Sequence, residues 1–301
     1  MALVPSSLCI GAVLWDIIGR APVAMGVGSD VPGRITRLPG GVALNIGMAL
    51  RAFGLDVALL SVIGRDEEGA DLMRALGDLG LITDHIYRSP DLPTDRYMAI
   101  EGANGLISAI ADAHSLEAAG RKIMAPLEDG GLGSVGAPFP GIVALDGNLT
   151  ISLLTECATS PLLSGADLRV APASPGKAER MLPFLRMDGT GNRATLYVNL
   201  EEASLLCKAS FETSRAAAQA LVARGAPRAL VTDGGNEAAE AGADGVIVAR
   251  PPQVLVTRVT GAGDTFMAGH IAAELRGAGP EDALRGALDA AASYVSGGTP
   301  Q

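Results

Sequence analysis

Positive charge is what this sequence is short of. Against 33 acidic residues it carries 23 Lys and Arg, a formal net charge of −10 over 301 residues. A chain that grips nucleic acid regardless of base sequence needs a basic surface, so no nucleic-acid partner is expected. A small anion held by local backbone amides is not excluded. Cysteine is nearly absent. Cys9, Cys157 and Cys207 are odd in number, far apart and set in apolar surroundings. They read as buried thiols of a reducing compartment, neither a disulfide framework nor a metal cluster. No basic segment precedes the apolar run within Met1–Ile10, so no signal peptide is expected, and no apolar run is long enough to span a bilayer. These absences point to a cytoplasmic protein without a membrane partner. What is present is apolar: 48% hydrophobic and 19% charged residues, the composition of a folded chain long enough for a substantial core.

Taken in order, Leu8–Leu14 reads as a buried strand ending at Trp15-Asp16, with an acid where open α/β sheets place their ligands. Residues 17–39, rich in Gly, Pro and β-branched residues, read as small strands and loops. Gly40-Gly41-Val42-Ala43-Leu44-Asn45 opens a helix to Phe53, with Gly54 as its stop. Val57–Ile63 is a strand, and Asp66 starts a helix ending at Leu79-Gly80. Two apolar runs around Gly102-Ala103-Asn104-Gly105, within 94–113, form a hairpin. Strands at Ile142–Leu145, Leu168–Val170, Thr195–Val198 and Ala229–Val231 then alternate with helices near Ser152, Lys177, Glu201 and Ser214. That rhythm predicts one α/β domain over 1–301, a mostly parallel sheet with helices on both faces. The β-rich departures at 17–39 and 94–113 read as one accessory sheet or lid.

The chemistry gathers at Val259–His270. Gly261-Ala262-Gly263 allows a tight turn with exposed amides, and Asp264 follows in the first turn of a helix. Met267, Ala268, Ile271, Ala272 and Leu275 fit one buried face of that helix. Free amides and the positive end of the helix dipole make an anion site there; alone, Asp264 reads equally as an N-cap. Gly131-Leu132-Gly133-Ser134-Val135-Gly136 matches a dinucleotide pattern, but no strand precedes it and Ala137-Pro138-Phe139-Pro140 cannot continue as a helix. No P-loop and no Gly-x-Ser-x-Gly elbow occurs. His85, His114 and His270 lie away from cysteines at ligand spacing and read as structural.

Gly40–Asn45 through Gly64-Arg65-Asp66-Glu67-Glu68-Gly69, Asn199-Leu200-Glu201-Glu202 and Thr260–Phe266 together resemble the PfkB (ribokinase-like) carbohydrate and nucleoside kinases over essentially the whole chain. The resemblance implies a ribokinase-like doubly wound sheet with a small β-lid, using ATP and Mg²⁺. It implies Asp264 as the base for the substrate hydroxyl, with the amides of Gly261, Ala262 and Gly263 as the anion hole. Asn199 and Glu202, one helical turn apart, would order magnesium and its waters; otherwise they are a helix cap with a surface acid. Asp16, Gly40, Gly41 and Asn45 match sugar-binding positions, and Thr232 and Gly234 match the nucleotide-side loop. Arg258 stands where many relatives carry an Asp in a monovalent-cation loop, which counts against potassium activation. Val42 and Leu14 replace polar residues of ribokinase, leaving the sugar end less polar.

Three segments resemble the pseudouridine kinase branch: the lid with Tyr97, the strand end Leu145-Asp146-Gly147-Asn148-Leu149, and Ala171–Lys177. They imply 5′-phosphorylation of pseudouridine, with the lid covering the C-linked base and Tyr97 and Asn148 among the substrate-binding residues. The alternatives are another sugar or nucleoside kinase such as ribokinase, or a non-catalytic sugar- or nucleotide-binding regulator. A homodimer through an apolar lid is expected by analogy.

Overall fold

Where one strand was expected at Leu8–Leu14, the computed structural model, which describes residues 5–298, has two. β1 (Ser7–Ile10) and β2 (Leu14–Arg20) separate because the Ala12 amide donates to the buried Asp146 carboxylate at 2.8 Å instead of to a ladder partner. Asp16 is therefore the third residue of β2 and not the end of a core strand. Residues 1–4 of the Met1–Ile10 stretch and 299–301 of the expected domain lie outside the described residues. β3 (Arg34–Gly40) pairs antiparallel with β2, and α1 (Val42–Ala52) follows from the Gly41 cap. Val57–Ile63 is also divided, into β4 (Val57–Leu60) and β5 (Val62–Gly64). Between them the Ser61 hydroxyl donates to the Gly11 carbonyl at 2.6 Å. α2 (Glu67–Asp78) starts from an Asp66 cap that accepts the Gly69 amide, as its sequence predicts. β6 (Tyr87–Ser89) pairs with β5, and the hairpin β7 (Arg96–Gly102) and β8 (Gly105–Asp112) leads into α3 (His114–Ala119).

The α/β rhythm then resumes with β9 (Ile142–Asp146), α4 (Ile151–Thr159) and β10 (Asp167–Ala171). The helix expected near Lys177 is a 3₁₀ segment, Pro175–Phe184. Pro183 inside it supplies no amide for an α-helical ladder. β11 (Ala194–Asn199), α5 (Leu200–Cys207), α6 (Ser214–Ala223) and β12 (Arg228–Thr232) follow. The antiparallel pair β13 (Ala238–Gly242) and β14 (Gly245–Ala249) was not expected from the sequence, because its Ala- and Glu-containing first strand carries little β propensity. α7 (Ala262–Leu275) and α8 (Pro280–Val295) close the fold.

The large sheet runs β14-β13-β12-β11-β10-β9-β1-β4, parallel apart from β13 and β14. Its strands are apolar on both faces because both are covered. Val143, Leu145, Leu168 and Val170 pack beneath α4, α5 and α6, while Ile142, Ala144, Tyr197 and Leu230 meet α1, α7 and α8. A smaller sheet, β3-β2-β7-β8, stands apart. α7 is buried continuously from Thr265 to Ala272, whereas Leu275 is 58% exposed. The one-sided helix expected there is instead wedged between α1 and α8. Of the three free cysteines, Cys9 and Cys157 are buried, and Cys207 is only partly so.

Candidate active site

The carboxyl ends of the parallel strands form one crest, and the predicted residues converge on it. Gly40 and Gly41 make the convergence possible. A Cβ on Gly40 would lie 2.1 Å from an Asp16 carboxylate oxygen, and one on Gly41 would lie 2.4 Å from the Ala12 carbonyl. Gly41 also adopts φ 101°, where a side chain is strained. The pair thus lets the Asp16 carboxylate and the β1–β2 connection rest directly on the start of α1. One turn into α1, the Asn45 side-chain amide donates to the Asp264 carboxylate at 2.9 Å. The segments carrying these two residues are 219 positions apart.

Asp264 sits in the first turn of α7, which starts at Ala262 from a left-handed Gly261. A Cβ on Gly261 would meet the Tyr294 hydroxyl at 2.6 Å, so this turn too depends on glycine. Tyr294 donates that hydroxyl to the Thr260 carbonyl at 2.9 Å, bracing the loop from α8. Of the three amides named for the anion hole, that of Ala262 donates to the Val259 carbonyl at 3.0 Å. Gly263 is exposed at the helix opening. The Asp264 carboxyl is pushed up to about 7, first by burial and then by Asp146, Glu202 and Asp16, against the Asn45 hydrogen bond. Burial likewise raises Asp16 to about 6. Such raised carboxyls can take up a proton near neutral pH.

Asn199 and Glu202 cap α5 reciprocally. The Asn199 side chain accepts the Glu202 amide and the Glu202 carboxylate accepts the Asn199 amide, each at 2.8 Å. The cap is real, but Glu202 is no surface acid. It is 7% exposed, and burial raises it to about 7. Thr232 lies directly across from Asn199 in the β11–β12 register, and Gly234 follows in the exposed turn beyond β12. Arg258 is turned away from Asp264: its guanidinium covers the Tyr294 ring and donates to the Tyr294 and Gly298 carbonyls.

A residue that sequence reasoning left in the background lies beneath the crest. Asp146, at the end of β9, is fully buried and accepts the amides of Ala12, Ala43 and Asn148 at 2.7–2.9 Å. It thereby ties β1, α1 and the β9 end together; burial still raises its carboxyl, against those three bonds. The signal was available, since it is an acid closing an all-apolar strand. Asn148 is buried beside it and accepts a bond from the Lys177 ammonium at 2.5 Å. Tyr97 opposes Asp16 across the β2–β7 pair, so both point to the same face of the small sheet.

The comparisons with known proteins show the family and the fold. Residues 4–128 and 186–300 match the pfkB family carbohydrate kinases. The chain belongs to that family. It is 29% identical over 295 residues to the uncharacterized sugar kinase YeiI of Escherichia coli, covering 96% of this chain and 78% of that protein. It is 30% identical over 104 residues to the pseudouridine kinase of E. coli, a match covering 34% of this chain and 33% of that enzyme. The structure of Arabidopsis thaliana ribokinase complexed with ribose and ATP superposes with a TM-score of 0.76 at 20% identity, covering 99% of this chain and 95% of that one.

Elsewhere, this pfkB kinase pairs the buried Arg169 and the half-buried Arg228 with acids. A cleft of about 490 Å³ opens at the opposite, amino-terminal end of the parallel strands, lined by Asp167, Arg193, Arg228, Glu240 and Glu274 among others. Behind it, Arg169 donates to Tyr197 at 2.9 Å and to Glu274 at 2.6 Å. His270 meets the Tyr197 hydroxyl at 2.8 Å, which gives it a structural place in the kinase. Gly131–Gly136 lies in an irregular turn before β9, not between a strand and a helix. Among the described residues no group of three or more His, Cys, Asp or Glu is arranged to hold a metal, and no helix is long and apolar enough to cross a membrane.

Proposed function

We propose that this kinase transfers the γ-phosphoryl group of ATP to the 5′-hydroxyl of pseudouridine. The observation that carries the chemistry is Asp264, a carboxyl raised to about 7, held by Asn45 at the open N-terminal end of α7. In this reading Asp264 takes the hydroxyl proton as the substrate oxygen bonds to phosphorus and the bond to ADP breaks, after which the proton passes to solvent. The amides of Gly261 and Gly263, with that of Ala262 once it is released from Val259, face the charge on the transferring group. Asp16, Gly40, Gly41 and Asn45 take the sugar, while Tyr97 and Asn148 flank the base. Thr232 and Gly234 line the nucleotide side.

The crest suits magnesium. Glu202 and Asp264 are both carboxylates that burial disfavours as anions, so a divalent cation nearby offsets a real penalty. The absence of a multi-carboxylate cage among the described residues matches an ion that keeps most of its waters. Asn199 and Glu202 would hold it, and when bound it neutralises phosphate charge. Potassium activation is not part of this reading, because Arg258 supplies a fixed positive charge beside the loop.

The choice of pseudouridine is supported by the match to the E. coli pseudouridine kinase and by the apolar Leu14 and Val42, which suit a free sugar poorly. Ribokinase activity is the second reading, favoured by the superposition on a ribose complex. The small sheet would act as the lid. Its face opposite Asp16 and Tyr97 exposes Ile35, Met98, Ile100 and Ile110, which fits a homodimer through the lid. The free thiols and the acidic surface suit the cytoplasm. Measuring ADP release with pseudouridine, uridine, ribose, adenosine and 2-keto-3-deoxygluconate in parallel tests the substrate. Turnover of ribose but not pseudouridine would reverse the order of the two readings.

A further inference from the structure

Asn148 is only 8% exposed, yet the two ends of its side-chain amide are treated differently. The Lys177 ammonium donates to Oδ1 at 2.5 Å. An ammonium has only donors, so the oxygen must be the atom facing Lys177 and the NH₂ group must point the other way. Nδ2 makes no hydrogen bond among the described residues. Every buried side-chain nitrogen or oxygen described does have a partner, so Nδ2 is reachable from solvent. The residue is firmly placed. Its amide is held by Asp146 at 2.7 Å, and the same carboxylate holds the amide of Ala43 beside the Gly40-Gly41 turn. Arg180 donates to the carbonyls of Asn148 and Leu149 at 3.1 and 3.0 Å, fixing the turn from the other side. A deeply set donor without a partner, aligned by a cation and tied through Asp146 to the start of α1, is arranged for an acceptor atom of a ligand.

We infer that Lys177 is a positioning residue that presents Asn148 as a hydrogen-bond donor to the substrate, so that the site selects a compound bearing a carbonyl-type oxygen beyond the sugar that is phosphorylated. The inference rests on the kinase reading of the crest. It deepens that reading, because the ring carbonyls of a pyrimidine nucleoside supply such an acceptor and a free pentose does not. Without Lys177 the amide is free to turn over, and donor and acceptor then exchange places.

Lys177→Met and Asn148→Asp separate the two parts of the claim. The first frees the amide. The second keeps the contact with Lys177 but replaces the donor by an acceptor-only carboxylate. Steady-state kinetics with pseudouridine and ribose should show the pseudouridine KM raised at least tenfold in both variants, with kcat within threefold and the ribose KM unchanged. Lys177→Arg, which keeps a donor toward Oδ1, should restore the pseudouridine KM to within threefold of wild type. An unchanged pseudouridine KM in Asn148→Asp, confirmed as folded by its thermal midpoint, overturns the inference, and so does an equal effect on both substrates. If the wild type instead prefers another substrate of the panel, the pseudouridine reading falls by itself. The inference is then decided by that substrate's KM in Asn148→Asp: a tenfold rise upholds it where the substrate carries a carbonyl-type oxygen beyond the phosphorylated sugar, and no change, or a preference for ribose or adenosine, ends it.

Discussion

Helix α7 carries two acids ten residues apart in opposite electrostatic conditions. Asp264 opens the helix, where the dipole favours an anion, and Glu274 closes it, where the dipole opposes one. Both lose hydration, yet Asp264 is pushed up to about 7 while Glu274 is held below its ordinary value. Charge partners decide the difference. Glu274 lies between Arg169 and Arg228, whereas Asp264 has Asn45 as its hydrogen-bond partner and Asp16, Asp146 and Glu202 as anionic neighbours. Nearby full charges outweigh the partial charge of a helix end. The base of the sheet is a place where charge is settled, and the crest one where it is left to be completed by a ligand.

The most direct way to break this contrast is to remove the unsettled charge. Asp264→Asn should lower kcat by about a thousandfold, in the range expected for a missing general base, while the protein stays folded. Near-normal turnover would end the assignment. At the other end of the helix, Arg169→Met should destabilise by about 2 kcal/mol in urea unfolding, because it removes a buried guanidinium from Tyr197, Asp167 and the half-buried Glu274. Turnover per folded molecule should hardly change.

Proton linkage sharpens the same comparison. A carboxyl raised in the folded state stabilises fully below its unfolded value, and that contribution is lost as pH rises through its folded value of about 7. Asp264→Asn should therefore match wild type in stability near pH 4 and exceed it near pH 8, by up to about 4 kcal/mol. The wild-type kcat/KM should fall on the acid side with a midpoint near 7 in the free enzyme. The smallest movement of the pH profile is expected at Asn45. Asn45→Leu removes the one bond that lowers Asp264 and should move that acid limb upward by about half a pH unit. A downward movement would mean that the bond does not favour the charged base.

Much of the fold was legible in the sequence because it rests on short-range rules. Apolar runs such as Ile142–Leu145 mark doubly covered strands, Asp66 announces its helix by capping it, and Gly102–Gly105 turns a hairpin. The failures fall where distant groups intervene. Leu8–Leu14 reads as one strand until Asp146, far along the chain, takes the Ala12 amide. A local cause is missed at Pro175–Phe184, where a helical pattern forms a 3₁₀ segment with Pro183 inside it withholding an amide. At the site, Asp264 and the Gly40-Gly41 turn stood out from residue type and spacing, whereas Asp146 and Lys177 entered only within segments of resemblance, without a role of their own, since a lone acid or lysine in sequence has many possible places.

By itself, then, the sequence determined most of the segments that become strands and helices, where glycine permits close approach, and that an acid opens α7. Those outcomes depend on backbone freedom and periodicity over a dozen residues. Tertiary structure alone decided that Asn45 reaches Asp264, that Asp146 gathers three amides, and that Glu274 is neutralised while Asp264 is not. Desolvation and charge pairing depend on which distant groups the packed core brings within a few ångströms, and no local pattern encodes that.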